Sequence, residues 1–383
     1  MSIKIGIITV SRTTNFGAEL QAFALQYKLN QLGYNAEIID YLYYKNINYI
    51  PTSNAKAEMS FGFFLNLKKF FLYHILGKFI DFVLPKFHSS SRTKKNNFER
   101  FHKKFTKFSK QFRSINQLYH YNHNYDVYIT GSDQVWNPST FSSLKPYFLD
   151  FAIEGKKRIA YAASFGVSKV SDNYKKQYLS LFKKFNKIGV REKDGQKILK
   201  ELCIDSEVVA DPTLLLTKED WSMVSNTSKI KIEHPYILIY DLHPSEAILK
   251  IAKNLKKTLN IPVYRICKRA FFNPKNDFIN NIYDAGPAEF VHLFMNAKHV
   301  LTNSFHGTVF SCNLDVPFNV ILNPDRKNNS RITNILNYLD LNDIIIYESE
   351  NFQYKEIIYT SINDKLYQLR NNSISFLNKA INN

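Results

Sequence analysis

Cysteine is scarce in this chain, and the scarcity excludes two classes of protein. The 383 residues include three cysteines, Cys203, Cys267 and Cys312, which are widely separated and form no CxxC pair. Small secreted domains depend on dense disulfides, and structural zinc sites depend on closely spaced cysteine ligands. The sequence therefore predicts neither a disulfide framework nor a metal site, and it favours the cytoplasm as the compartment.

Long apolar runs are missing as well. No uninterrupted apolar stretch reaches the ~18 residues of a membrane-spanning helix, so none is expected. The first residues, MSIKIGIITVSRTTNFG, read as a short apolar strand and a polar loop, without the charged and longer apolar regions of a signal peptide. The GxGxxG fingerprint is also absent, so no nicotinamide or flavin cofactor is predicted.

Acidic residues are fewer than basic ones, and the excess of positive charge is concentrated in one segment. The formal net charge is +18, and residues 61–113 contain thirteen Lys and Arg residues but two acids, which leaves a surplus of eleven. The second half of this segment also carries phenylalanines at helical spacing, which is typical of an amphipathic helix. These residues are Phe98, Phe101, Phe105, Phe108 and Phe112.

Three interpretations of this basic segment remain open. It can be a helical insertion packed on its own domain with a solvated lysine face. It can be a helix that lies on an anionic membrane surface, which would make the protein peripheral to the inner face of the membrane. Basic and aromatic residues also bind nucleic acid, but the helical spacing of the phenylalanines favours an apolar face over a base-stacking surface, so no nucleic-acid partner is expected.

Strands and helices alternate along the chain, which predicts parallel sheets built from βαβ units. The first forty residues read as strand, loop, helix and strand, and the alternation resumes after the basic segment and again after a polar, turn-rich stretch. The expected fold class is α/β, with two Rossmann-like domains facing a cleft. The expected boundaries are 1–216 for the first domain, about 55–120 for a basic aromatic helical insertion in it, 217–235 for a linker, 236–350 for the second domain and 351–383 for a helical tail.

Ligands of open parallel sheets bind beyond the carboxyl ends of the strands, and SRTTNFGAE and ITGSDQVWNP have that placement. In the first, Asn15 can contact a ligand or cap the next helix, and Gly17 lets a ligand approach the backbone. In the second, polar side chains follow a strand and a nearby tryptophan can stack on a sugar. These residues are Ser132, Asp133, Gln134 and Trp136.

Two further segments carry the side chains best suited to an anionic ligand. Arg191 directly follows an apolar strand, and its planar fork matches a carboxylate or phosphate, although a salt bridge to Glu192, Asp194 or another surface acid would also explain it. In TNSFHGTVFS, His306 stands where a strand leads into a helix, whose amino terminus favours an anion. A histidine exchanges a proton near neutral pH, so His306 is a candidate general acid, the alternative being an ordinary structural histidine.

Taken in order, six pieces of the chain resemble the polysaccharide pyruvyl transferase family. The resemblance spans residues 5 to about 345. The six pieces are NFGAELQAFAL, ITGSDQVWNP, KRIAYAASFG, GVRE, VVADPTLLL and GPAEF…NAKHVLTNSFHGTVFS. The resemblance implies a glycosyltransferase-B-like pair of Rossmann domains, with the acceptor on the first and the donor on the second. It also implies that the pyruvyl group of phosphoenolpyruvate moves onto a sugar or lipid-linked oligosaccharide as a ketal, in capsule or exopolysaccharide synthesis, without a cofactor or an obligatory metal.

The resemblance and the residue types together assign the candidate site. His306 and Arg191 match family positions implicated in donor binding and catalysis. The catalytic candidates are His306, Arg191 and Asp133; the donor-binding candidates are Asn303, Ser304, Gly307, Thr308 and Arg331; and the acceptor-binding candidates are Asn15, Gly17, Ser132, Gln134 and Trp136.

One position departs from the family pattern. Many members carry an arginine two residues before the histidine, where this chain has Ser304, so one cationic ligand for the donor is missing. Arg331 is the first candidate to replace it, with Arg326 and Lys327 as weaker ones.

Two rival functions remain. A glycosyltransferase with a sugar-nucleotide donor would need an acidic residue to bind a ribose in the second domain, and Asp325 is the nearest to such a position. A non-enzymatic membrane- or nucleic-acid-binding protein would depend on residues 61–113. Deleting those residues and measuring turnover separates that function from either enzyme.

Overall fold

The computed structural model describes most of the chain in two compact units. The described residues are 2–44, 46, 48–50, 89–138, 144–267, 276–326, 329–348 and 357–383. Unit 1 comprises Met1–Leu84, His102–Leu215 and Arg370–Asn383, and unit 2 comprises Pro85–Phe101 and Leu216–Leu369.

Unit 1 is built on a parallel sheet. Over the described residues its strand order is β3-β2-β1-β4-β5-β6-β7, and the paired neighbours all run parallel. The central strands are mostly apolar and, apart from the exposed Lys4 at the start of the first, buried, as expected for a sheet covered on both faces. The strands are β1 (Lys4–Ile8), β2 (Asn35–Tyr41), β3 (Phe108–Phe112), β4 (Val127–Thr130), β5 (Lys157–Ala163), β6 (Lys187–Val190) and β7 (Glu207–Val208).

Helices connect these strands, and several begin at a polar cap. The α1 helix starts after Asn15, whose side chain accepts from two backbone amides of the first turn. The helices up to residue 215 are α1 (Phe16–Gln31), α2 (Ser89–Phe105), α3 (Ile115–Tyr119), α4 (Asp172–Phe182), α5 (Lys193–Glu201) and α6 (Pro212–Leu215), with a short 3-10 helix at Lys145–Phe148.

Unit 2 has a second parallel sheet. Over the described residues its order is β10-β9-β8-β11-β12-β13, so β8 lies between β9 and β11. The strands are β8 (Ile237–Tyr240), β9 (Val263–Ile266), β10 (Ile279–Ile282), β11 (His299–Thr302), β12 (Phe318–Leu322) and β13 (Ile345–Tyr347). The helices are α7 (Lys218–Ser225), α8 (Glu246–Leu259), α9 (Pro287–Met295), α10 (Phe305–Asn313), α11 (Ser330–Tyr338) and α12 (Tyr359–Asn382), with a 3-10 helix at Asn342–Ile344.

The α/β class with two parallel sheets is therefore confirmed. The stretch expected to be a linker, 217–235, differs from the prediction because its first part is the helix α7. Thr217 and Asp220 form a capping box, and Trp221 is fully buried against the ring of Phe310. A mainly polar sequence in which Trp221, Met223 and Val224 are the apolar residues of α7 gave too weak a signal to predict a packed helix.

The basic segment is described only in part, since 51–88 lie outside the described residues. Residues 89–113 are only partly helical, unlike the helical insertion expected over about 55–120: α2 ends at Phe105, and the strand β3 follows at the edge of the sheet. Phe98, Phe101 and Phe112 are buried within the fold. In this part of the segment, those three phenylalanines belong to the protein core and cannot form an apolar face for a membrane.

The carboxyl-terminal tail is helical, as expected, and α12 includes residues of both units. Within unit 1, its Ser373 hydroxyl accepts a hydrogen bond from the Ala210 amide at 2.9 Å. Among the helices that the structure describes, none combines the length and hydropathy needed to cross a bilayer.

Candidate functional site

In unit 2, the turn from β11 into α10 is held by a chain of hydrogen bonds. Ser304 caps the helix, since its Oγ accepts from the Gly307 amide at 3.4 Å. The Ser304 amide in turn donates to Thr302 Oγ1 at 3.1 Å, and that hydroxyl donates to the Tyr240 carbonyl at 2.6 Å. The helix start is thereby fixed to the ends of both β11 and β8.

Several predicted donor ligands are used inside this turn. Ser304 and Thr308 are buried, and the Thr308 hydroxyl donates to the Ser304 carbonyl at 3.0 Å. Gly307 is required by close packing, because a Cβ there would lie 2.2 Å from Thr302 Oγ1. Ser304, Gly307 and Thr308 therefore shape the turn through contacts within the protein. His306, by contrast, is half-buried and partly exposed to solvent.

Asn303 connects the same turn to the loop after β8. Its Oδ1 accepts from the Leu242 amide at 2.8 Å, and its Nδ2 donates to the His243 carbonyl at 2.9 Å. The amide group therefore holds two carboxyl-terminal loops of the sheet together. Its predicted contact with the donor stays a prediction.

His299 begins β11 and His306 lies just beyond its end, and the two histidines have different environments. His299 is buried, and burial lowers its pKa to about 4, although its hydrogen bond to Asn319 opposes the shift. A side chain with so low a pKa stays neutral near physiological pH. His306 lies at the turn, with its ring edge-on to Phe305 and only half-buried. Of the two, His306 has the more exposed side chain, and its role as a general acid stays a prediction.

Arg331, predicted to replace the missing arginine, lies in the first turn of α11. This helix packs against α10 within unit 2, and the arginine is half-buried. Because α11 packs against the helix that carries His306, Arg331 remains a candidate ligand of the donor. Its contact with the donor stays a prediction. Asp325, considered for a ribose, is exposed in the loop before α11.

A buried ion pair at the ends of β8 and β9 was missed from the sequence. Arg265 Nε donates to Asp241 Oδ1 at 2.9 Å, and its Nη2 pairs with the other carboxylate oxygen. Nearby, Lys94 Nζ donates to the Cys267 carbonyl at 3.2 Å. Burial raises the pKa of the Cys267 thiol to about 11, although Arg265 and Lys94 oppose the shift, so this thiol is a poor nucleophile near neutral pH.

In unit 1, Arg191 is the centre of a buried polar network. Its Nε donates to Glu192 Oε1 at 2.9 Å, and its Nη1 donates to Asp211 Oδ2 at 3.1 Å. The side chains of Arg191 and Asp211 are each 1% exposed. Burial lowers the pKa of Arg191, but the nearby carboxylates outweigh that effect and raise its pKa above the ordinary value.

The salt bridge considered as the alternative for Arg191 is thus present. Asp211, in VVADPTLLL, was not among the predicted site residues, yet it joins the network through both oxygens. Its Oδ1 accepts from the Thr213 amide at 3.0 Å, and its Oδ2 also accepts from Ser132 Oγ at 3.1 Å. The only sign of Asp211 in the sequence was its position between an apolar stretch and Pro212. Ser132 is fully buried and donates to Asp211, and its predicted contact with an acceptor stays a prediction.

Asp133 occupies a special backbone position at the end of β4. Its φ is 75°, in the left-handed region, and its carbonyl accepts from the Ser164 amide at 3.0 Å. The side chain is half-buried and its charge contributes to the raised pKa of Arg191. The structure therefore brings Asp133, Ser132 and Arg191 together, while the catalytic role of Asp133 remains a prediction.

Trp136 corrects the prediction of a sugar-stacking surface. The indole is 0% exposed, stacks on Phe148 and donates to the Tyr147 carbonyl at 3.1 Å. It is a core residue packed among the rings of Phe148, Phe165 and Phe182. Gln134 is half-buried, and its Oε1 accepts from Asn137 at 2.7 Å.

The segment SRTTNFGAE forms a helix-capping turn, which was the alternative to a ligand contact at Asn15. Asn15 is exposed, but its Oδ1 accepts from the Gly17 amide at 3.0 Å, so this amide is already used.

A polar network missed from the sequence lies beside this capping turn. Arg12 pairs with Asp40 through two hydrogen bonds, at 3.0 and 2.8 Å, and His102 Nε2 lies 2.6 Å from Glu19 Oε2.

No metal-binding group is formed by the His, Cys, Asp and Glu residues that the structure describes.

Solved structures with a resemblance to the chain include three sugar-nucleotide enzymes. The UDP-GlcNAc 2-epimerase of Methanocaldococcus jannaschii is 12% identical with a TM-score of 0.48, covering 96% of this chain and 91% of its own. The UDP-N-acetylglucosamine 2-epimerase of Rickettsia bellii is 10% identical with a TM-score of 0.46, covering 100% and 97%. The ADP-heptose lipopolysaccharide heptosyltransferase II of E. coli is 13% identical with a TM-score of 0.39, covering 99% and 98%. Similarities of this size do not indicate a function.

The sequence itself gives the stronger comparison. None of the curated proteins compared with the chain matches it. The sequence model of the polysaccharide pyruvyl transferase family, by contrast, matches residues 15–326. The match includes the candidate residues of both units except Arg331, and it extends over most of the chain. The chain therefore belongs to the polysaccharide pyruvyl transferase family.

Proposed function

We propose that the protein transfers the pyruvyl group of phosphoenolpyruvate to a sugar of a surface-polysaccharide precursor and forms a ketal. Family membership supports the reaction type. The observation that carries the proposal is the position of His306, half-buried at the start of α10 and fixed by the Ser304 cap and the Thr302 hydroxyl. A proton donor next to a helix amino terminus suits an anionic substrate.

In the proposed reaction, protonated His306 acts as the general acid. It gives a proton to the terminal carbon of the enol, and the neighbouring carbon then accepts a sugar hydroxyl oxygen, whose own proton is released. The bond from that carbon to the phosphate oxygen breaks, inorganic phosphate leaves, and a second hydroxyl closes the ketal with loss of its proton. No electron acceptor is needed, and the step requires no metal ion.

The test is to incubate the protein with phosphoenolpyruvate and a panel of sugar and lipid-linked acceptors. Acceptor-dependent phosphate release is expected, together with a new ketal methyl group by NMR, both unchanged by a metal chelator. If phosphate is never released from phosphoenolpyruvate while a sugar nucleotide is consumed, the glycosyltransferase alternative replaces this proposal.

Arg331 gives a first mutational prediction. Because Ser304 replaces an arginine, we expect Arg331 to bind one anionic group of the donor from the start of α11. A charge-assisted hydrogen bond contributes about 1.5–3 kcal/mol, so Arg331→Ala should raise the KM for phosphoenolpyruvate roughly ten- to a hundredfold. Adding Ser304→Arg should recover part of the loss. An unchanged KM in Arg331→Ala means that this arginine contacts no donor.

We also infer that the basic segment attaches the protein to anionic membrane through charge. Arg92, Lys95, Lys103 and Lys104 are exposed along α2, while Phe98 and Phe101 are buried, which favours electrostatic attachment over insertion.

Co-sedimentation with phosphatidylglycerol vesicles should therefore be strong at low salt and weaken as salt rises, with no binding to phosphatidylcholine. Replacing Lys103 and Lys104 with glutamine should reduce binding. Protein that stays in the supernatant at low salt would show that the segment has no role at a membrane.

A further inference from the structure

Arg265 is a buried arginine whose guanidinium is bound along one edge only. It is 2% exposed and lies in β9, near the carboxyl end of the strand. Its Nε and Nη2 face the two carboxylate oxygens of Asp241, the residue that follows β8. The carboxylate therefore fixes the plane and direction of the guanidinium.

The remaining nitrogen of this guanidinium is unusual. Arg265 Nη1 is buried and has no hydrogen-bond partner among the residues that the structure describes. A buried donor without a partner costs free energy, which an oxyanion accepting from that nitrogen would recover. An arginine held by a carboxylate on one edge and unpaired on another is suited to bind a carboxylate or phosphate.

The sheet places this arginine close to the His306 turn. Ile239 of β8 is level with Arg265 on one side and with Leu301 of β11 on the other. The ends of β9 and β11 are thus two strand spacings apart, roughly 10 Å. Asn303 also binds the backbone of the loop that begins at Asp241. An arginine side chain and a three-carbon ligand together span such a distance.

We propose that Arg265 is an anion-binding residue of the donor site, receiving a carboxylate or phosphate oxygen on Nη1 while Asp241 holds the guanidinium in place. The inference rests on the proposed function and extends it. Phosphoenolpyruvate carries two anionic groups, and Arg265 and Arg331 supply two cations from different elements of unit 2. This arrangement accounts for a donor site that functions with Ser304 in place of an arginine.

The test compares variants that separate binding from stability. Removing Arg265 alone leaves Asp241 buried without its cation, so the main variant is the double change Arg265→Gln with Asp241→Asn, which leaves two neutral amide side chains. Asp241→Asn alone keeps the arginine. Arg100→Gln is the matched control, because Arg100 also pairs with a buried carboxylate of unit 2, that of Glu289.

We expect the double variant to raise the KM for phosphoenolpyruvate about tenfold or more with an unchanged acceptor KM. Arg100→Gln should stay within about threefold of the wild type, a change too small for a lost charge-assisted hydrogen bond. Asp241→Asn keeps the arginine but weakens the contact that positions it, so its donor KM should lie between those of Arg100→Gln and the double variant. A folded double variant with a normal donor KM overturns the proposal. So does an Arg100→Gln variant as impaired as the double variant, since loss of any buried ion pair of unit 2 would then have the same effect.

Direct binding keeps this test independent of turnover. Inorganic phosphate and pyruvate should each be titrated into the wild type and the double variant, with calorimetry as the readout. Weaker binding of phosphate assigns Arg265 to the phosphate, and weaker binding of pyruvate assigns it to the carboxylate. Equal binding of both ligands by the two proteins overturns the assignment. Absence of turnover by the wild type instead counts against the proposed function itself.

Discussion

Replacing His306 with alanine should lower kcat at least a hundredfold while the protein stays folded. General acid catalysis contributes about 10²–10⁴ in rate, and alanine has no proton to give to the enol carbon. The side chain is half-buried, and hydrogen bonds of Ser304 and Thr302 hold the turn. Steady-state kinetics with phosphoenolpyruvate and thermal unfolding of the same preparation measure the two effects.

His234→Ala is the matched control for this experiment. His234 belongs to the same unit and is exposed, with its Nε2 3.1 Å from the Tyr264 hydroxyl. Its loss should leave kcat unchanged. If His306→Ala keeps more than roughly a tenth of the wild-type kcat, the rate loss is below that of a general acid, and His306 is a structural residue.

The sheets could be predicted because parallel strands covered on both faces read as short continuous apolar runs. IKIGIITV, DVYIT and HVLTNS each contain a strand of the structure, and the turn into α10 lies where the sequence indicated it. Phe108 and Phe112 were misassigned for a physical reason. Their four-residue spacing fits both one turn of a helix and one face of a strand, and pairing with β2 decided for the strand.

The site was predicted less completely than the fold because its side chains choose partners that are distant in sequence. Asp241 and Arg265 are 24 residues apart, and only the adjacency of β8 and β9 brings them together. Trp136 stands among polar residues in the sequence, yet the aromatic rings of Phe148, Phe165 and Phe182 enclose it. A local pattern identified the strand ends but not the direction in which each side chain points.

The second large effect is expected for Arg191→Met. This change removes the cation that Glu192 and Asp211 share, and both carboxylates remain buried, with side chains 5% and 1% exposed. Loss of one partner from a buried ion pair typically costs about 3–5 kcal/mol, because the remaining charge is neither solvated nor paired. Denaturant unfolding should show a loss of free energy of unfolding of this size.

Arg158→Met is the control for this loss. Arg158 is a half-buried arginine of the same unit, and the bonds described for its guanidinium go to the carbonyls of Leu149 and Ala152 rather than to carboxylates. Its removal exposes no buried charge, so the decrease in stability should be smaller, about 1.5–3 kcal/mol. Equal losses in both variants would show that the carboxylates around Arg191 do not depend on its charge.

Arg191→Lys then separates the structural role of the charge from a role in donor binding. Lysine keeps the positive charge near Asp211 and Glu192, so part of the stability lost in Arg191→Met should return. The planar fork is lost, however, and a lysine cannot bind an oxyanion in two-pronged fashion while it stays paired. If Arg191 also binds the donor, the lysine variant will be stable enough to assay yet nearly as impaired in kcat/KM as Arg191→Ala. A lysine variant with near-normal kinetics would limit Arg191 to the salt bridges with Glu192 and Asp211, and donor recognition would then depend on the residues of unit 2.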